Sequence, residues 1–137
     1  MAVKLVKPIN HKKVVKITNQ DFEAKMRELR VNSDIAVAVS GGPDSLALMH
    51  LSNRYALNNN INLTVLSIDH GIRAESSKEI VWLKKVAKKN KINFYSTKLK
   101  KKINSSNTLS KARTLRYEAL SKYCDKKKIK FLLTAHH

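Results

Sequence analysis

The stretch from Ile35 to Met49 constrains the fold more strongly than any other part of the chain. An apolar run rich in β-branched residues, Ile35 to Val39, is followed by Ser-Gly-Gly, and a helical pattern begins at once. Strand, glycine turn and helix start are the three parts of a phosphate-binding loop in an α/β fold. Pro43 suits the first helical turn, because its missing N–H would have no partner there. The stretch therefore predicts an anion site between a buried strand and the helix that follows it.

The rest of the chain alternates between strand and helix patterns. Apolar runs predict four strands, at 35–39, 63–68, 93–97 and 129–133. Helical spacing predicts four helices, at 19–30, 44–55, 76–90 and 108–126. Such alternation favours parallel strands joined by right-handed crossovers. We therefore expect the α/β class, with an open, mainly parallel sheet and helices on both faces. Residues 1–17 read as a basic N-terminal arm, and residues 18–137 as one domain.

Apolar spacing also predicts which helical positions face the core. In the second helix these are Ala47, Leu48, Leu51 and Tyr55. In the fourth helix they are Leu109, Ala112, Leu115, Ala119 and Tyr123. His50 is expected to be an ordinary helical histidine.

Composition narrows the class of partner. The formal net charge is +18, and Ile80 to Tyr117 holds twelve Lys or Arg residues without one Asp or Glu. Such a stripe attracts a polyanion such as RNA, although drift in composition explains a lysine excess equally well. No apolar run approaches the ~20 residues of a membrane span, so no membrane partner is expected. The single cysteine, Cys124, cannot form an intrachain disulfide, and the cytoplasm is the expected compartment.

Three polar clusters follow predicted strands, where open parallel sheets bind their ligands. They are residues 40–45, 69–73 and 134–137. Asp44 and Asp69 are candidates for Mg²⁺; the alternatives are a carboxylate offsetting a helix dipole and a turn residue.

Two further pairs of residues carry charge or titrate near neutral pH. Arg113 and Arg116 project from one helix face and suit a phosphate or a nucleic-acid backbone, unless they form a solvated basic face. His136 and His137 suit acid/base chemistry or anion binding, and zinc would need acidic or Cys partners that do not accompany them.

Four motifs together carry a family resemblance. They are Ser-Gly-Gly-Pro-Asp-Ser (40–45), Asp-His-Gly-Ile-Arg (69–73), Ala-Arg-x-x-Arg-Tyr (112–117) and Thr-Ala-His-His (134–137). The first resembles the pyrophosphate-binding loop of the N-type ATP pyrophosphatases, or PP-loop enzymes. The whole set, over residues 30 to 137, resembles the catalytic domain of the tRNA(Ile)-lysidine synthetases. Leu109 departs from that family, whose members often carry Glu there.

The resemblance implies an ATP-dependent, RNA-modifying ligase. ATP would adenylate the C2 oxygen of the first anticodon cytidine of isoleucine tRNA, and free L-lysine would displace AMP to give lysidine. Mg²⁺ would accompany ATP, and a homodimer is kept as one assembly. The implied ATP-binding residues are Ser40, Gly41, Gly42, Pro43, Asp44, Ser45, Asp69, His70 and Arg73. The implied catalytic residues are Asp44, which would also hold the metal, Arg113, Arg116, His136 and His137.

Two other functions stay open at this point. A PP-loop tRNA thiolase is one, but thiolases that act on cytidine carry a Cys-x-x-Cys before the final histidines, where this chain has only Cys124. A nucleotide-binding module without catalysis is the other. The family's last motif continues past the His pair with acidic residues and a Glu-Thr. We therefore expect residues 1–137 to be the N-terminal piece of a longer enzyme.

Overall fold

The computed structural model describes residues 2–5, 19–39, 43–69, 75–98 and 108–135. Five strands are formed: β1 (Ala2–Leu5), β2 (Ile35–Ala38), β3 (Leu63–Asp69), β4 (Asn93–Lys98) and β5 (Phe131–Thr134). Four helices are formed: α1 (Asn19–Glu28), α2 (Pro43–Asn59), α3 (Glu75–Lys89) and α4 (Thr108–Lys127). The predicted strands and helices are all present, with ends shifted by a few residues.

The strands form one sheet in the order β1-β5-β2-β3-β4. Strands β2, β3, β4 and β5 are parallel, with Ile35 opposite both Leu63 and Phe131. Strand β1 pairs antiparallel with β5, so that Ala2 faces Thr134. The expected α/β class and the mainly parallel sheet are confirmed. Strand β1 was not predicted, because residues 1–17 show no sustained apolar period.

Helices cover both faces of the sheet, as predicted. The larger apolar cluster joins α1, α2 and α3 to the side chains of Ile35, Val37 and Leu133. The smaller cluster joins α4, through Leu120 and Cys124, to Ala36, Leu66 and Leu132 on the opposite face. Alternation along each strand separates the two sets, because neighbouring residues point to opposite faces.

The predicted buried face of α2 is partly wrong. Ala47 is exposed and Leu51 is only half-buried, whereas Leu48 and Tyr55 are buried as expected. The buried residues of α2 are Ser45, Leu48, Met49, Ser52, Tyr55 and Ala56. The face is rotated toward two serines because a buried serine is tolerated once its hydroxyl is bonded. The Ser52 hydroxyl donates to the Leu48 carbonyl at 2.6 Å.

The predicted buried face of α4 is also rotated. Leu120 and Cys124 are buried there, while Leu115, Ala119 and Tyr123 are only half-buried. The structure does not describe the side chains of Leu109 and Ala112, so their predicted burial stays a prediction. The face turned to the sheet is therefore the line of positions 116, 120 and 124, spaced four residues apart.

Each of the four described helices is followed, within two residues, by a residue in the left-handed conformation. These residues are Arg30, Asn60, Lys91 and Lys128, with φ between 54° and 58°. The next residue then donates its N–H to a carbonyl five positions back, as Ile129 does to Cys124 at 2.8 Å. This hydrogen bond completes a Schellman cap and turns an apolar side chain back onto the helix. No helix in the described residues is long and apolar enough to cross a membrane.

Candidate functional site

The order of the strands places a crevice between the carboxyl ends of β2 and β5. The chain moves outward from β2 through β3 to β4 and then returns to form β5 on the other side of β2. The connections on the two sides of this point leave in opposite directions, and open α/β sheets bind ligands there. The Val39 N–H donates to the Leu66 carbonyl at 2.9 Å, so the β2 ladder reaches to the residue before Ser40.

The first turn of α2 lies at this crevice. Pro43 is its first residue, Asp44 is exposed, and Ser45 is buried. The other end of α2 is held firmly, since the Tyr55 hydroxyl donates to the Val31 carbonyl at 2.7 Å. The Tyr55 ring also packs edge-on against Phe22, with ring centroids 6.2 Å apart. The start of α2 is thus fixed in place by contacts made at its far end.

Two arginines approach the same edge of the sheet from α4. The end of α4 leads directly into the start of β5, so the first half of α4 lies toward the carboxyl ends of the strands. Arg116 is half-buried and lies one turn before Leu120 on the sheet-facing line, while Arg113 is exposed. Burial lowers the pKa of Arg116, and the nearby positive charge of Arg113 lowers this pKa further.

Arg116 therefore carries a partly desolvated positive charge near a second cation. No described carboxylate forms an ion pair with either arginine. An anion bound beside them would relieve both the desolvation and the repulsion.

Thr134 is a further candidate, which belongs to the polar cluster 134–137 of the sequence but was given no role of its own there. Its side chain is 1% exposed, and its Oγ1 has no hydrogen-bond partner among the described residues. Thr134 lies two residues beyond Leu132 and therefore on the α4 face of the sheet, at the carboxyl end of β5. A buried hydroxyl without a partner is costly unless something outside the described chain bonds to it. The only signal in the sequence was its place at the start of Thr-Ala-His-His.

The other predicted site residues are only partly covered by the structure. Asp69 ends β3 opposite Lys98, but its side chain is not described. The remaining predictions lie outside the described residues: Ser40, Gly41, Gly42, His70, Arg73, His136 and His137. The described segments contain no cluster of three or more potential metal ligands.

The described residues fit a polyphosphate with its metal. A helix start, a half-buried guanidinium and an unpartnered hydroxyl all offer donors to phosphate oxygens. Mg²⁺ typically binds one or two protein carboxylates together with substrate phosphates and water, so Asp44 can serve as one such ligand. The three glycines of the chain, Gly41, Gly42 and Gly71, all follow β2 or β3 in sequence. The residues that follow the helices in the left-handed conformation are, by contrast, Arg, Asn and Lys rather than Gly.

Comparisons with known proteins agree with this geometry. Residues 10–137 match the family described as PP-loop domain. The chain is 46% identical over 105 residues to a tRNA(Ile)-lysidine synthase of Rickettsia bellii, covering 77% of this chain and 24% of that protein. It is 40% identical over 121 residues to the tRNA(Ile)-lysidine synthase of Rickettsia akari, covering 86% of this chain and 28% of that protein. The chain thus spans about a quarter of the length of these curated relatives.

A solved structure shares the fold. It is the U34-tRNA thiolase NcsA from Methanococcus maripaludis with its [4Fe-4S] cluster, with a TM-score of 0.69 at 22% identity. The similarity covers 86% of this chain and 46% of the thiolase chain. At this identity the similarity supports the architecture of the sheet and its helices.

Proposed function

The chain belongs to the PP-loop domain family, and from this premise we propose that it carries the ATP-dependent catalytic unit of a tRNA(Ile)-lysidine ligase. The observation that carries the proposal is Arg116, half-buried beside Arg113 on the half of α4 that lies toward the carboxyl ends of the strands. The identity to lysidine synthases, 38–46% in the relatives named so, supports this reaction among those of the family.

The residues of this chain would act mainly by binding and by stabilising charge. The start of α2 and the Thr134 hydroxyl would donate hydrogen bonds to phosphate oxygens. Arg116, with Arg113 beside it, would stabilise negative charge that develops at the α-phosphate, because a fixed cation in a partly dry site needs no reorganisation. ATP supplies the AMP group that makes the C2 oxygen of the target cytidine a leaving group for replacement by the amine of lysine.

Asp44 is the proposed metal ligand. Its place in the first turn of α2 puts a carboxylate where phosphates would bind, and Mg²⁺ held by Asp44 would offset the repulsion between carboxylate and phosphate. The roles of Ser40, Gly41, Gly42, Asp69, His70, Arg73, His136 and His137 stay predictions. The same holds for the homodimer, the cytoplasmic location and the division at residue 18.

One observation disfavours the thiolase alternative. Thiolases that act on cytidine carry a Cys-x-x-Cys before the final histidines, and in that region this chain has only Cys124. That side chain is fully buried beneath α4, and burial raises the pKa of its thiol to about 11. The thiol is therefore neutral at physiological pH and cannot readily bind iron.

Activity should be tested in the complete product of the gene. The assay contains ATP, Mg²⁺, radiolabelled lysine and isoleucine tRNA with cytidine at the first anticodon position. We expect lysine to enter the tRNA with release of pyrophosphate. Arg116→Ala should lower the rate about 100- to 1,000-fold, the range seen when one charge-stabilising donor is removed.

Two matched controls separate the site from general charge effects. Arg54→Ala removes an exposed arginine of α2, and Asp125→Ala removes an exposed carboxylate of α4. Both should change the rate less than about twofold, the scale of a surface change away from the site. Asp44→Ala should lower it far more and shift its Mg²⁺ dependence. A wild-type protein that incorporates no lysine, or an Arg116→Ala variant of normal rate, would contradict the proposal.

A further inference from the structure

A groove of about 630 Å³ runs between the edge strand β4 and the outer side of α4. We call it the β4–α4 groove. Two tyrosines and four lysines give it its character: Tyr95, Tyr123, Lys98, Lys122, Lys126 and Lys127. Its walls include Leu115 and Ala119, which the sequence pattern had predicted to be core residues.

Aromatic rings form the floor of the β4–α4 groove. Tyr95 of β4 and Tyr123 of α4 are stacked, with ring centroids 4.3 Å apart and planes 27° apart. Tyr95 is 40% exposed, so part of its ring remains in contact with solvent. An exposed aromatic ring can stack a nucleobase, because every base offers a flat π-face.

The rim of the groove is strongly positive. Its four lysines stand against one carboxylate, that of Glu118. None of these lysines forms an ion pair with a residue that the structure describes. An aromatic floor beneath a positively charged rim is the arrangement by which proteins hold single-stranded nucleic acid.

The groove reaches the same carboxyl edge of the sheet as the candidate site. At the end of the groove nearest the carboxyl ends of the strands, Lys98 lies opposite Asp69, the last residue of β3. Leu115, on the α4 wall, directly precedes Arg116. A single-stranded nucleic acid lying in the groove would therefore reach the carboxyl edge of the sheet, at which the phosphate site is proposed.

We propose that the β4–α4 groove binds a single-stranded segment of the RNA substrate. One base stacks on the Tyr95–Tyr123 pair, and the lysines contact the phosphates on either side. The inference rests on the proposed function only in taking RNA as the substrate. Single strands are favoured over duplex because bases in a duplex are already stacked and cannot reach the tyrosines.

Stacking is tested with one pair of variants at Tyr95. The probe is a fluorescein-labelled RNA hairpin with a single-stranded loop, and its affinity for the full chain is measured without ATP. Tyr95→Ala should raise the Kd about 5- to 100-fold, the usual loss for one stacked base. Tyr95→Phe should bind within about twofold of wild type, because phenylalanine keeps the aromatic ring on which the base stacks. Trp82→Ala, which removes an exposed ring of α3, is the matched control and should also change little.

The charge contribution is tested with two triple variants. The first combines Lys122→Ala, Lys126→Ala and Lys127→Ala and removes three of the four lysines that line the groove. Lys84→Ala with Lys88→Ala and Lys89→Ala removes the same charge from exposed positions of α3. The groove triple should lower the slope of log affinity against log salt by about 2, at ~0.7 for each phosphate that a lysine no longer neutralises. The α3 triple should leave that slope nearly unchanged.

The opposite outcomes are equally clear. Equal effects of the two triple variants would show diffuse attraction and overturn the proposal, as would equal binding of a blunt RNA duplex. Unchanged RNA affinity in every groove variant would overturn the proposal and would mean that another occupant covers the groove.

If the groove variants lose RNA affinity while wild type incorporates no lysine, the groove proposal is supported and the proposed ligase function fails. If these variants bind RNA normally and wild type incorporates lysine, the ligase function stands and the groove proposal fails.

Discussion

The two faces of the sheet are built differently. In the part of the chain that the structure describes, three helices cover one face, where seventeen buried residues form a continuous apolar cluster. Within the same part, one helix, α4, covers the other face, where the buried cluster has six residues. On the first face the buried Tyr55 and Ser52 hydroxyls are both hydrogen-bonded, although the Ser33 hydroxyl, just before β2, is buried without a partner among the described residues. On the α4 face Thr134 has an unpartnered hydroxyl and Arg116 is half-buried without a carboxylate among the described residues.

This difference separates stability from function. A face with complete packing and satisfied polar groups lowers the free energy of the native state. A face with unsatisfied polar groups is less stable than it could be, and such groups are typical of ligand sites. The three-helix face therefore supplies most of the buried apolar packing of the sheet. We propose that the unsatisfied groups of the α4 face serve ligand binding, together with the start of α2. The predictions that follow compare the two faces.

The largest difference is expected between two leucines that lose the same atoms. Leu83→Ala on α3 should lower the free energy of unfolding by about 3–5 kcal/mol, because the large cluster cannot close around the cavity. Leu120→Ala on α4 should lower the free energy of unfolding by only about 2–3 kcal/mol. The open groove beside α4 lets this helix shift and partly fill the cavity. Denaturant unfolding of both variants measures this. A larger loss for Leu120→Ala would break the comparison.

Alkaline pH should weaken the α4 face through Cys124. Burial raises the pKa of this thiol from 9.0 to about 11, so the folded state holds its proton more tightly than the unfolded state. This contribution to stability is complete below pH 9 and is lost as the pH rises toward 11. It amounts to up to about 3 kcal/mol. Wild type should lose that much more stability than Cys124→Ala between these pH values, and parallel profiles would contradict the assignment.

Two tyrosines offer a comparison of hydroxyl groups. Tyr55→Phe removes the hydrogen bond to the Val31 carbonyl and leaves that carbonyl without its partner. It should cost about 1–1.5 kcal/mol of unfolding free energy. Tyr123→Phe keeps the stack with Tyr95 and should change stability by less than about 0.5 kcal/mol. Thermal melts of the two variants give their unfolding free energies at one common temperature. Equal losses in the two variants would contradict the prediction.

No loss of stability is expected when the hydroxyl of Thr134 is removed. Thr134→Val replaces a buried, unpartnered hydroxyl by a methyl group of similar size. Stability should stay unchanged or rise by about 1 kcal/mol. ATP affinity should fall several-fold, because the phosphates would lose one donor, and equilibrium binding of ATP to the variant measures this. A clear loss of stability with normal ATP binding would show that the hydroxyl is structural.

The sequence allowed much of the fold to be predicted, because strand and helix periods alternate clearly from residue 19 onward. Strand β1 escaped prediction, since it takes its stability from pairing with β5 rather than from a pattern of its own. The buried face of α4 was misplaced for a different reason. Leu115, Ala119 and Tyr123 line a groove, and a groove wall has the same apolar spacing as a core face.

The candidate site was predicted in part for a related reason. The start of α2 and the arginine pair could be expected from strand ends and from helical spacing. Thr134 could not, because a threonine at a strand end has no distinctive type or spacing. Only the fold shows that its hydroxyl is buried on the same face as Arg116. The stack of Tyr95 on Tyr123 likewise joins residues that lie far apart in the chain.

The antiparallel pairing of β1 with β5 also affects the order in which the molecule can fold. Residues 2–5 lie against residues 131–134, so this contact joins nearly the whole length of the 137-residue chain. Strand β2 also waits for β5, which forms its second neighbour. During synthesis β2, β3 and β4 can therefore pair while one edge of β2 remains open to other chains. The last of these strands to leave the ribosome closes that edge, and it brings the start of Thr-Ala-His-His to the crevice in the same event.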